Sequence, residues 1–547
     1  MSLDYPYQYK ELALPMREFG KRRQTLMAQM EDDSIAIIPS AGLQTRSNDT
    51  EYKFRQDSDF FYLTGFLEPD SVLVLLPGRK KGEVIYFCRD KNPERELWDG
   101  YREGPEGVCR NFGGDDAFPI EDIDDILPGL MEGRERVYYA MGRRPAFDNN
   151  VMAWLNTLRA QARAGSHPPG EFLDLDHLLH DMRLFKSTAE VKLMKAAAAI
   201  SCAAHQHAMS ICEPGMNEGQ LEAEYLHQFG VRGGVAAAYN TIVGSGSNAC
   251  VLHYVENNQR IKDGDLVLVD AGCEYQGYAA DITRTFPANG RFSKEQAAIY
   301  DLVLEAQYAA IKAAVAGNHW EEPHNESVAV ITQGLVDLKL LDGDVSELIE
   351  TEAYKPFYMH RVGHWLGLDV HDVGDYKVHG LWRLLEPGMV MTIEPGIYIS
   401  PSEQSVAERW RGIGVRIEDN VLVKRKGNEI FTDAAVKTRQ DVESLMRGGD
   451  AGAAAQGKRV EKQSGATKAK RLSSKAASPS KRSSKKPVEK KIAKKKKASS
   501  KSAVAKKNSA KSAKPAKAAR SKRKAVTRAK TSTRAKVAKK GGVTKSR

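Results

Sequence analysis

Leu266-Val267-Leu268-Val269-Asp270-Ala271-Gly272 reads as a buried strand ending on a carboxylate, and Tyr278-Ala279-Ala280-Asp281-Ile282-Thr283-Arg284-Thr285-Phe286 follows within the length of a turn. Apolar runs bounded by glycine are the pattern of buried strands. A turn centred near Tyr275-Gln276, helped by Gly277, predicts an antiparallel hairpin. That centre places Asp270 and Asp281 near-opposite, with Cβ atoms about 4.5 to 5.5 Å apart. Like charges so placed repel unless a cation lies between them. For this pair alone a bland alternative stands beside it, in which Asp281 caps a turn or pairs with Arg284.

Working outward, three further segments carry the same kind of residue. His360-Arg361-Val362-Gly363-His364-Trp365-Leu366-Gly367-Leu368-Asp369-Val370-His371-Asp372 sets three imidazoles among glycines, which permit close backbone approach. Met389-Val390-Met391-Thr392-Ile393-Glu394 is a strand delivering a carboxylate to the turn Pro395-Gly396. In Gly414-Val415-Arg416-Ile417-Glu418 the alternation puts Arg416 and Glu418 on one face. Taken singly, Glu394 and Glu418 fit ordinary ion pairs. Taken jointly, Asp270, Asp281, His364, Glu394 and Glu418 form a candidate ligand set for two divalent cations, because four converging carboxylates without cations would repel strongly. This hard, oxygen-dominated set suits Mn²⁺, Co²⁺ or Mg²⁺ better than structural Zn²⁺. Such a pair of ions points to hydrolysis.

At 547 residues and 41% hydrophobic, the chain is long enough for two or three domains with real cores. Charge is unevenly distributed. From Lys458 to Arg547 there are 35 Lys and Arg against two acids, Glu461 and Glu489, and no Phe, Trp or Tyr. Subtracting these from totals of 82 bases and 71 acids leaves 47 against 69, so the body carries −22 and the tail +33. The six cysteines lack CxxC spacing, no N-terminal run resembles a signal peptide and no stretch is apolar enough to span a bilayer. A reducing, cytoplasmic location without membrane association is therefore expected.

Three strand signals, Ser34–Ile38, Ser71–Leu76 and Glu83–Cys88, predict an α/β N-terminal domain over residues 1–180. Ser187 with Glu190 fits a capping box opening a long helix that runs toward Pro214-Gly215. An α+β catalytic domain is expected over 181–447, then a Gly/Ala linker and a disordered Lys-rich tail over 448–547, whose apolar content is too low to offset ordering entropy.

The body, over roughly residues 5 to 447, resembles the aminopeptidase P family of metallopeptidases with the pita-bread fold. His360 to Asp372 is similar to the family's signature, and Asp270-Ala271-Gly272, Asp281-Ile282-Thr283-Arg284-Thr285-Phe286, Ile393-Glu394-Pro395-Gly396 and Arg416-Ile417-Glu418 match its ligand motifs. Thr45–Tyr52 and Asp57–Phe66 resemble its N-terminal domain, a feature methionine aminopeptidases usually lack. The resemblance implies an Xaa-Pro aminopeptidase that cleaves before a proline in second position by means of a hydroxide bridging two ions. Asp270 and Asp281 would hold one ion, and Asp281, His364, Glu394 and Glu418 the other, with Asp281 and Glu418 bridging. Glu394 would also shuttle a proton to the leaving nitrogen, while His253 and His371 would bind substrate carbonyls and stabilise the oxyanion. His360, Arg416 and Trp98 would line the proline pocket. One departure lies between Gly230 and Asn240, where Val231-Arg232-Gly233-Gly234-Val235-Ala236-Ala237-Ala238-Tyr239 lacks the Pro-Ser that relatives often carry before this Tyr, a change that would touch the pocket rim and not the metal.

Two other functions share these features. A prolidase-type Xaa-Pro dipeptidase would use every ligand, and the N-terminal domain argues against it. A non-catalytic chromatin or peptide-binding module would suit the basic tail, but all five ligands are retained. The tail fits either a passive solubiliser or a sequence-independent binder of DNA, RNA or another polyanion, with nucleoid association as one consequence. A homo-oligomer is compatible with the sequence.

Overall fold

The computed structural model describes residues 12–448, so the linker and tail expected to be disordered lie outside the described residues, apart from Gly448. The N-terminal domain is built on a six-stranded mixed sheet in the order Asp116–Pro119, Val84–Cys88, Val72–Leu75, Ser34–Pro39, Arg136–Tyr138, Glu171–Leu173. Ser34–Pro39 runs antiparallel to Val72–Leu75 and parallel to Arg136–Tyr138. Both faces are covered, which is why these strands read as continuous apolar runs. Ala36, Ile38, Leu73 and Leu75 pack on one side with Leu26 and Phe60. Ile35, Ile37, Val72 and Val74 pack on the other with Leu127, Val151 and Trp154.

The helix Asp176–Leu184 crosses the expected boundary at 180. Next comes Thr188–Ile211, opened by the Ser187/Glu190 capping box as predicted. It packs with Glu218–Val231, and a second pair, Lys294–Ala313 and Glu322–Asp337, follows later in the chain. The helices pack against three three-stranded antiparallel sheets, one of which joins Tyr278–Ala279, Cys273–Tyr275 and Ala236–Ala237. The second runs Ile242–Ser245, Leu266–Asp270, Thr283–Pro287, and the third Val390–Ile393, Asp419–Val423, Asn428–Ile430. A two-stranded pair, Gly396–Tyr398 with Gly414–Arg416, completes the second half. Contacts between Thr283–Thr285 and Arg416–Glu418 join the halves, among them Glu418 N–H to Thr283 O at 3.1 Å.

The hairpin forms, with a corrected register. Its tight turn is Gln276-Gly277, both at positive φ (51° and 84°), the conformation that suits the strand twist of a two-residue loop. Tyr275 therefore pairs with Tyr278, and Asp270 stands opposite Thr283 and not Asp281. Asp281 is one diagonal step away, on the same face. Beside it, a Cβ on Gly272 would lie 1.8 Å from Ala280 O, so only glycine fits there.

Candidate metal centre and active site

Asp270 ends the strand Leu266–Asp270, Asp281 lies just before Thr283–Pro287, Glu394 just after Val390–Ile393, and Glu418 between Arg416 and Asp419. Strand ends from both halves thus aim their carboxylates into one space, and His364 reaches it from a loop. Nine of the ten site residues expected from sequence line a single cavity of about 440 Å³: Asp270, Asp281, His364, Glu394, Glu418, His253, His360, His371 and Arg416. Trp98 does not join them. It lies on the helix Pro93–Asp99 with 83% of its surface exposed, so the proline-pocket role expected of it has no counterpart in the single chain.

Donor atoms of Asp281, His364 and Glu418 lie within 4.8 Å of one another. His364 Nδ1 donates to Trp365 O at 2.9 Å, which turns Nε2 toward Asp281 (3.3 Å) and Glu394 (3.6 Å). The Tyr239 hydroxyl sits between Asp270 (2.6 Å) and Asp281 (2.5 Å). Thr283 Oγ1 donates to Glu418 at 2.7 Å and accepts from Arg416 Nε at 3.1 Å, while Arg416 Nη2 donates to Asp270 at 2.8 Å. Arg416 and Glu418 thus meet the same hydroxyl, as the strand alternation predicts.

Burial and mutual repulsion set the electrostatics of these carboxylates. Burial, then Asp281, pushes Asp270 up to about 6. Burial, with Asp281 and Asp270 behind it, brings Glu394 to about 7, and Glu418 rises well above the usual carboxylate range for the same reasons. Burial also acts to raise Asp281, but the hydrogen bond and charge of His364 outweigh it and lower that carboxyl. His364 itself, against the effect of burial, is raised to about 9 by Asp281 and Glu394. Divalent ions would displace that proton and hold all four carboxylates ionised. The donor set, four buried carboxylates and one imidazole nitrogen oriented by a backbone carbonyl, therefore fits divalent metal.

Beside the ligands, a relay runs from Arg416 Nη1 to the Tyr398 hydroxyl (3.0 Å) and on to His360 Nε2 (2.9 Å), whose Nδ1 meets Arg361 O at 2.8 Å. Burial and then Arg416 depress His360 to about 3, so the ring is neutral. The sequence reading missed Tyr398, Tyr239, Thr283 and Thr392, the last of which donates to Glu394 at 3.4 Å. Thr283 and Thr392 each lie two residues from a ligand, so strand periodicity could have flagged both. Tyr239 is brought in by tertiary structure and has no local signal. Arg284, offered above as a partner for Asp281, instead pairs with buried Asp419 at 2.8 Å.

Residues 192–425 match the model of metallopeptidase family M24, and residues 19–138 that of the aminopeptidase P N-terminal domain. Xaa-Pro aminopeptidase of Escherichia coli K12 is 46% identical over 431 residues, 79% of this chain and 97% of that protein. The chain belongs to the aminopeptidase P family of metallopeptidases. Pseudomonas aeruginosa aminopeptidase PepP superposes with a TM-score of 0.79 at 59% identity, covering 80% of this chain and 99% of that one. Rat Xaa-Pro aminopeptidase 3 is more distant, at 36% identity over 78% of this chain and 85% of its own length. The catalytic half is accordingly a pita-bread domain, and the chain is an Xaa-Pro aminopeptidase, a hydrolase that depends on divalent metal. Neither family model reaches the basic segment beyond residue 457. No helix among the described residues is long and apolar enough to cross a membrane.

Proposed function

We propose that the enzyme removes the first residue from peptides with proline in second position, using two divalent ions, Mn²⁺ in the cell, held by Asp270, Asp281, His364, Glu394 and Glu418. The observation that carries this reading is the convergence of those five donors on one cavity that His360 and Arg416, joined through the Tyr398 hydroxyl, also line. When bound, the ions supply Lewis acidity, lowering the pKa of a water toward neutrality and polarising the scissile carbonyl.

The chain's own groups do the rest. Glu394, ionised once the site holds its cations, would accept the proton released by the attacking water and pass it to the leaving imino nitrogen. His253 and His371 donate to substrate carbonyl oxygens, where negative charge develops in the transition state. Arg416 and neutral His360 line the cavity and are tied together behind it by the Tyr398 hydroxyl, a rigid surface suited to the proline ring.

Outside the described residues, the +33 segment is a sequence-independent binder of nucleic acid or another polyanion, because it has many Lys and Arg and no aromatic residue to stack on bases. A cytoplasmic location accords with both activities.

Hydrolysis of Arg-Pro-Pro set against Arg-Pro, with and without Mn²⁺ after chelation, tests the reading. Release of arginine from the tripeptide, lost on chelation and restored by Mn²⁺, is expected. Preference for the dipeptide would identify a prolidase-type enzyme instead.

A further inference from the structure

His371 lines the active-site cavity, with its ring packed edge-on to His364 at a centroid distance of 4.4 Å, yet its imidazole makes no hydrogen bond among the described residues. Only that ring packing and its backbone hold it in place. At the next residue the side chain of Asp372 is 1% exposed and turned away from the cavity into a charged cluster. Arg183 Nη2 donates to Asp372 Oδ1 at 2.6 Å, and Lys186 Nζ to Oδ2 at 2.8 Å. Arg183 also reaches across to the N-terminal domain, where Nη1 donates to Asp59 at 2.6 Å. Its second contact on the same loop is Asp369, at 2.8 Å, which Ser58 of the N-terminal domain also binds at 2.7 Å. Gly367 leaves the room required, since a Cβ there would lie 2.1 Å from Asp372 Oδ2. Asp59, Asp176 and His180 also gather closely enough to suggest a metal site, but Arg143 (2.9 Å) and Arg183 (2.6 Å) already occupy the Asp59 oxygens.

We infer that Arg183 and Lys186, acting through Asp372, are positioning residues for His371, so that the N-terminal domain sets the geometry of the active site through the Asp59–Arg183–Asp372 chain. Both carboxylates and the guanidinium are buried, and such a group is held far more rigidly than an exposed pair because any displacement leaves a charge unpaired in a low dielectric. A fork-shaped guanidinium is required, because it must meet carboxylates on two sides at once. The inference rests on the role proposed above for His371.

A double-mutant cycle tests it. Asp372→Asn, in otherwise wild-type enzyme with its metals, should lower kcat about tenfold or more with little change in KM or metal content, as a misplaced catalytic group does. In a His371→Ala background the same change should alter kcat less than about twofold, because the group being positioned is gone. Arg183→Lys, which keeps the charge but not the fork, should behave likewise and carries the test if Asp372→Asn fails to fold. Equal losses in both backgrounds would mean a merely structural cluster and overturn the inference. No loss in the wild-type background, with His371→Ala itself impaired, would overturn the inference alone. Unimpaired His371→Ala would remove the role of His371 and the inference with it.

Discussion

Thr283 stands directly across the ladder from Asp270, and its hydroxyl spans Glu418 and Arg416 on the same face. One side chain that cannot itself be a strong ligand thus fixes a ligand from the other half of the fold. Thr283→Val keeps the shape and removes the hydroxyl, leaving Glu418 without its 2.7 Å donor. Metal affinity should fall about 10- to 100-fold, as for other partners that orient metal ligands. Calorimetric titration of the chelated protein with Mn²⁺ measures it, and an unchanged affinity would remove Thr283 from the site.

Glu394 offers a sharper separation of roles. Glu394→Gln is nearly isosteric and removes the ionisable group that burial has raised to about 7. The fold should persist, while kcat falls on the order of 10²-fold or more, since both a ligand and a proton carrier are altered. His371→Ala should lower kcat yet keep its metals. Elemental analysis beside steady-state kinetics distinguishes the two, and loss of metal from His371→Ala would place that residue among the ligands.

The candidate ligand set was legible because its four carboxylates lie in strand-like segments, because His364 lies among glycines, and because four carboxylates demand a charge explanation. The N-terminal strands were legible for the same reason, their apolar runs being buried on both faces. The hairpin register was missed by two residues because tight turns are set by positive φ, and Gln276 adopts it without being Gly, Asn or Asp. Tyr239 was invisible as a site residue: nothing near it is periodic, and only tertiary structure carries its hydroxyl between Asp270 and Asp281. The chain Asp59–Arg183–Asp372 joins residues more than 120 positions apart at its first link, a separation at which sequence spacing holds no information.

Behind the site, His205 predicts a pH response. Its Nε2–H donates to Ala271 O at 2.9 Å and its Nδ1 accepts from the Tyr225 hydroxyl at 2.9 Å, so the neutral ring is fully satisfied. Burial lowers it to about 3, whereas an imidazole in the unfolded chain titrates near 6.5. The unfolded chain therefore binds one more proton between these values, so this contribution is fully present above about 6.5 and is lost as pH falls toward 3, by up to about 1.4 kcal/mol per pH unit. His205→Gln can still bridge both partners without titrating. Urea unfolding of the chelated proteins at stepped pH should show a shallower acid decline in the variant, and parallel curves would refute the assignment.

Body and basic segment should be separable. The two carry opposite charge, −22 against +33, and a Gly/Ala-rich stretch from Gly448 to Gly457 lies between them in sequence. All nine cavity-lining residues of the proposed site precede residue 419, so truncation after Gly457 removes none of them. kcat/KM for a short peptide should stay within about twofold, the range expected when distant sites do not couple. Retention on DNA and RNA should disappear. For the full chain it should fall by orders of magnitude between about 50 and 200 mM salt, because each neutralised phosphate releases a counterion. The acidic body adds a competing intramolecular partner for the segment, so full-length protein should bind nucleic acid more weakly than the isolated segment at low salt. Gel-shift and peptidase assays across a salt series on both lengths of protein decide it: equal nucleic-acid affinity for the two, or affinity indifferent to salt, would exclude the basic segment as the binding element.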